Sequence, residues 1–119
     1  MTTCRIVLRL ARNPGAAHAE ADDHRGYTLV APLTPEGKLD AAAMKSGKAT
    51  VRRFAPDADP VEGRIIRHGT AFAFDYGDAV GAEPGFKLGD HTFNLGDYVS
   101  VQDEDGSLLT YKVTEKTLL

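Results

Sequence analysis

A single cysteine in 119 residues closes two routes at once. Cys4 has no partner for an internal disulfide and no companions for a multi-cysteine zinc site. As a nucleophile it would need a base and an oxyanion site, and no neighbouring residue announces either, so it reads as a small apolar residue at a strand start. Long apolar runs are lacking too: nothing approaches the roughly 20 residues of a membrane span. The opening "MTTCRIVLRLARN" carries Arg5 and Arg9 inside its apolar stretch, which argues against a secretion signal. The expectation is a cytoplasmic protein without a membrane partner. Fixed-period repeats and low-complexity tracts are also missing, and 42% hydrophobic content suffices for one core, so a single domain over 1–119 follows.

Two motif families are absent. "GDAVGAEPG" has glycines without the G-x-G-x-x-G order or the strand-to-helix setting that a phosphate cradle requires. "DEDG", Asp103 to Gly106, lacks the twelve-residue frame and terminal Glu of a calcium loop and reads as a hairpin turn. No triad or paired-carboxylate pattern stands out either, so the reading leans away from an enzyme and expects no cofactor. The formal net charge of −3 opposes strong general affinity for nucleic acid. It is unevenly spread: residues 1–68 hold 11 Lys and Arg against 8 Asp and Glu, and residues 69–119 hold 3 against 9.

What is present is strand periodicity. In "CRIVLRL", Ile6, Leu8 and Leu10 alternate with Arg5, Val7 and Arg9, the two-residue period of a strand with one buried face. "YTLVAPL" is a second strand, which Pro32 limits to an edge or to a last ladder position. "ATVRRF" is a third, with Val51 on one face and Arg52 and Phe54 on the other, and "APDADPVEG" reads as an exposed loop after it. "GRIIRHGTAFAFDY" predicts a hairpin turning at His68 and Gly69, with Phe72, Phe74 and Tyr76 on one core face. "GDAVGAEPG" then reads as a loop and "FKLGDHTF" as short apolar pieces about a tight turn. "LGDYVSVQDEDGSLLTYKV" ends the pattern as a hairpin, Val99 and Val101 facing Leu109, Tyr111 and Val113. The best helix runs from Asp40, its N-cap, to about Lys45. The fold class expected is mainly β, a small barrel or sandwich of about seven short strands with one short α-helix.

The sharpest chemical hint is "NPGAAHAEADDHRG", where His18, Glu20, Asp22 and His24 fall on every second position. A divalent metal needs three or four donors about 2.0–2.2 Å from one point. As a strand the segment would set His18 and His24 about 20 Å apart, and as a helix it would place the pairs His18/Asp22 and Glu20/His24 on nearly opposite sides. Neither converges four donors, so a solvated loop or frayed helix is the simpler reading. His68 and His91, near Asp75, Asp78 and Asp90, read as exposed turn histidines.

The basic candidates are Arg52, Arg53, Arg64 and Arg67, with Lys45 and Lys48 near them. Small barrels bind single strands with such patches and stacking aromatics, but pairing with an acidic surface is the simpler use. The acidic surface expected is Asp97, Asp103, Glu104 and Asp105, which also permits weak self-association of an otherwise monomeric protein.

Two resemblances accompany these residues. "GDYVSVQDEDGSLLTYKV" is similar to the strand pair preceding the active site of sortases, but that family needs a later cysteine, and none follows Cys4. No catalytic residue carries over. "LRLARNPG", "GYTLVAPLTPEGKLD", "VRRF", "FDYGD" and "LGDHTFNLGDYVSVQDEDGSLLTYKV" together resemble a family of small uncharacterised bacterial proteins. In that pattern an aromatic stands at the position of Met44, and the alternation over residues 18–24 is missing, which favours a loop there. The resemblance implies no function. The residues themselves support a non-catalytic binding module for a protein partner using a sheet edge or Arg52, Arg53, Arg64 and Arg67. The alternatives are a metal-binding protein or metal-dependent enzyme built on His18, Glu20, Asp22 and His24, and a nucleic-acid-binding barrel built on the same four arginines.

Overall fold

In a computed structural model, the structure describes residues 2–14, 20–44, 49–68, 71–76, 82–85, 91–102 and 108–119. Among the described residues, eight strands and one helix follow in order: β1 (Thr2–Leu10), β2 (Asp22–Leu33), α1 (Ala41–Met44), β3 (Thr50–Ala55), β4 (Ala58–His68), β5 (Ala71–Asp75), β6 (Ala82–Gly85), β7 (Tyr98–Gln102) and β8 (Leu108–Leu118). All ladders are antiparallel and the sheet order is β6-β5-β4-β3-β2-β1-β8-β7. The first six strands form a meander. The β7–β8 hairpin then attaches to the free side of β1, so neighbours in the sheet come from opposite ends of the chain.

The alternation read in the sequence decides which face is inside. Ile6, Leu8, Leu10, Tyr27, Leu29, Val51, Ile65, Phe72, Phe74, Val99, Val101, Tyr111 and Val113 are buried in one core, while their strand neighbours Arg5, Arg52 and Arg64 are exposed. Tyr27 shows how strongly the sheet curls. β2 and β5 are separated by two strands, which in a flat sheet puts them roughly 14 Å apart at about 4.8 Å per strand. Yet the ring of Tyr27 lies 5.3 Å from that of Phe74 on β5 and 5.2 Å from that of Tyr111 on β8. The inner face is concave, the edge strands β6 and β7 come together, and the result is a partly closed barrel.

Two glycines permit the close strand approach that curling needs. A Cβ on Gly26 would sit 1.8 Å from the Leu8 carbonyl oxygen, and one on Gly63 would sit 2.3 Å from the Asp75 carbonyl oxygen. The Gly26 approach adjoins an irregularity: Arg9 pairs with Gly26 but Leu10 pairs with Asp22, so Asp23, His24 and Arg25 form a bulge. Arg25 ties that bulge to the β3–β4 turn through Asp57 at 3.4 Å.

One end of the barrel is closed by two loops. Phe93, fully buried, donates its backbone N–H to Gly37 at 2.7 Å, and Asn94 Nδ2 donates to the Glu36 carbonyl at 3.2 Å. The helix beside this loop is capped as the sequence predicts: Asp40 Oδ1 accepts from Ala43 N at 3.1 Å and the Asp40 carbonyl accepts from Met44 N at 3.0 Å.

Three sequence expectations change. The exposed loop "APDADPVEG" is a tight turn at Pro56 and Asp57 between β3 and β4. The loop "GDAVGAEPG" contains β6, whose Pro84 is tolerated because β6 is an edge strand. β2 begins at Asp22, so the second half of the histidine-rich segment is strand. Pro32 is compatible with an interior strand because it lies beyond the reach of β3, which pairs only with Gly26 to Val30.

Candidate functional site

The four arginines do not share a face. Arg52 lies opposite Thr28 on β2 and Glu62 on β4, and Arg64 lies opposite Thr50 and Asp75, all on the outer face. Arg53, one residue from Arg52, turns to the inner face, where its guanidinium carbon sits 5.1 Å from the centroid of the Tyr76 ring. The side chain of Arg67 lies outside the described residues. Among the described residues, the outer face of β3, β4 and β5 therefore carries Arg52 and Arg64 interleaved with Glu62 and Asp75. Arg52 and Glu62 approach to 3.9 Å with both side chains mostly in solvent, a screened pair of little energetic weight.

Between these charges is a hollow of about 280 Å³, open to solvent and lined by Thr28, Val30, Thr50, Val51, Arg52, Glu62 and Gly63. Its walls are apolar and its rim is charged with both signs. Val7, on the same outer face of the sheet, is only 5% exposed, enclosed between Thr28 and Glu115 on the flanking strands. The outer face is thus less polar than a wholly solvated one.

A second hollow, of about 220 Å³, lies on the outer face farther round the sheet and is lined by Arg9, Leu10, Ala11, Arg12, Ala21, Asp23, Tyr98, Lys112 and Thr114. Register explains the gathering: Lys112 on β8 is directly opposite both Arg9 on β1 and Tyr98 on β7. The Lys112 ammonium lies 5.9 Å from the Tyr98 ring centroid, and Tyr98 is 60% exposed. Arg9 donates to Thr114 Oγ1 at 2.6 Å and to Glu115 Oε2 at 2.8 Å, which fixes its guanidinium. The sequence reading passed over these residues. Alternation puts each on the outward parity of its strand, but nothing local shows that positions about a hundred residues apart are neighbours.

The donors of the metal reading are placed as follows. His18 lies outside the described residues. Glu20 and His24 are exposed, and Asp22 Oδ1 accepts the backbone N–H of His24 at 2.9 Å, a local contact within the bulge of β2. Among the described residues, no three His, Cys, Asp or Glu side chains gather into a possible metal site. His91 is half-buried, while the side chain of His68, with Asp78 and Asp90, lies outside the described residues. Cys4 is buried at 1% exposure on the inner face, away from solvent-borne electrophiles.

Of the expected acidic surface, only Asp97 lies among the described residues. Asp97 is held within its own turn, its Oδ2 accepting from Thr92 Oγ1 at 2.5 Å and from Asn94 N at 3.0 Å. Asp103, Glu104 and Asp105 lie outside the described residues. No helix among the described residues is long and apolar enough to cross a membrane. Comparison with known proteins returned no matching family model, no matching curated protein and no matching solved structure.

Proposed function

We propose that the chain is a non-catalytic interaction module that engages a protein partner through the outer face of β2, β3 and β4. The observation that carries this reading is the hollow of about 280 Å³ with apolar walls and a rim holding Arg52 and Glu62. Pockets that enclose small molecules run to about 300–1,000 Å³. A smaller, open hollow suits one apolar side chain of a partner, and a rim of both charges suits the polar surround of a protein interface. Arg52 and Arg64 alternate with Glu62 and Asp75, which disfavours a phosphate track on this face. A cytoplasmic setting goes with this reading.

Affinity capture from the source cell with wild-type protein and with Thr50→Trp, which fills the hollow from an exposed position, tests it. A partner retained by the wild type and by Lys38→Ala, but lost with Thr50→Trp, supports the assignment. Equal retention by all three removes it.

A further inference from the structure

We propose that the second hollow binds one nucleotide of a single strand, with the base on the Tyr98 ring and the phosphate between Lys112 and Arg12. This site is separate from the protein-binding face above and does not depend on it. Three observations and one general property of small barrels lead to it. The Tyr98 ring is 60% exposed on an outer sheet face, although an aromatic of that size gains most from burial. The Lys112 ammonium lies over the ring, 5.9 Å from its centroid, so a cation and an exposed aromatic belong to one surface. Exposed aromatics with flanking cations on the outer sheet of a small barrel are how such folds hold unpaired bases. Arg12 is exposed on the same hollow.

Charge and size set the ligand. Arg9, Arg12 and Lys112 face Asp23 and the Arg9 partner Glu115, three cations against two anions, for a local charge of +1. That balances one phosphodiester and opposes a long polyanionic track. At about 220 Å³ and open to solvent, the hollow does not enclose a nucleotide: it offers a seat for the phosphate, while the base lies on the exposed ring and the rest of the strand stays in solvent. Asp23 adds an acceptor suited to an exocyclic amino group, as carboxylates accept from the cytosine amine. An acidic peptide would use the cations and leave the ring without a role.

The test is an NMR titration of the full chain with a short single-stranded oligonucleotide, a nucleoside monophosphate, a hairpin duplex and an oligoglutamate peptide. The single strand is expected to shift the amides of Arg9, Tyr98 and Lys112. With one phosphate neutralised the logarithmic salt slope is about −0.7, so affinity falls roughly threefold from 50 to 200 mM salt. Tyr98→Ala weakens binding by about fivefold or more, and Tyr98→Phe keeps it, because the ring and not the hydroxyl does the stacking. Lys112→Gln flattens the salt dependence and serves should Tyr98→Ala fail to fold. Preference for the strand over the monophosphate identifies the strand as source, and the reverse order identifies a free nucleotide. The proposal is overturned by unmoved amides at millimolar oligonucleotide, by affinity unchanged in both Tyr98→Ala and Lys112→Gln, by equal binding of the duplex, or by equal binding of oligoglutamate, which would make the site a general anion site.

Discussion

Replacing Gly63 by alanine separates contact from conformation. Glycine to alanine in a strand ordinarily stabilises by about 0.4–1 kcal/mol, because the unfolded chain loses freedom. At Gly63 the new Cβ would lie 2.3 Å from the Asp75 carbonyl oxygen and 2.9 Å from Tyr76 Cδ1, whereas ordinary contact begins at 3.4 Å. β5 must therefore retreat by about 1.1 Å, the difference between 3.4 and 2.3 Å. Backbone cannot swing aside as a flexible side chain can, and β5 carries the buried Phe72 and Phe74. Overpacking of this kind costs about 1–3 kcal/mol, and a radial gap of about 0.5–1 Å around Phe74 gives up a quarter to a half of its local dispersion contacts. Less the stabilisation above, the expected net loss is about 1–2 kcal/mol. With an m-value of about 2 kcal/mol per molar urea, the unfolding midpoint falls by roughly 0.5–1 M. Urea melts followed by circular dichroism measure this directly. A Gly63→Ala midpoint equal to or above that of the wild type would refute the idea that close approach of β4 and β5 demands glycine.

Three further outcomes are expected. Asp40→Ala destabilises by about 1 kcal/mol in the same melts and Asp40→Asn by less, since the side-chain oxygen accepting from Ala43 is the capping group. Asn13 clamps Thr110 from both sides, accepting its N–H at 2.8 Å and donating to its carbonyl at 3.1 Å, so Asn13→Ala should cost about 1–2 kcal/mol and speed hydrogen exchange at the Thr110 amide; unchanged exchange there would refute the clamp. Elemental analysis of purified protein should find no stoichiometric zinc, manganese or iron, and one equivalent lost on changing His18 and His24 to alanine would restore the metal reading.

Strand identity was legible wherever apolar and polar residues alternate cleanly, as in "CRIVLRL" and in the pair Tyr98–Gln102 and Leu108–Leu118. The short helix was legible because Asp40 is a strong cap at a clear boundary. Less legible were segments whose structure is imposed by neighbours. The start of β2 is polar because Asp23, His24 and Arg25 bulge outward, and β6 contains a proline that only its edge position excuses. The basic patch divides for a local reason: adjacent residues on a strand point to opposite faces, so Arg52 and Arg53 do not line one surface, while the side chain of Arg67 lies outside the described residues. The Arg9, Lys112 and Tyr98 row was invisible for the opposite reason, since it exists only after β8 pairs with β1.

The outer face of β2, β3 and β4 is tested most directly by site-specific photocrosslinking in living cells. A photoreactive residue in place of Thr50, which lines the hollow, should yield one discrete protein adduct, while the same residue in place of the exposed Thr117 on β8 should yield none. No adduct from position 50, or the same adducts from both positions, would contradict a partner-binding role for this face.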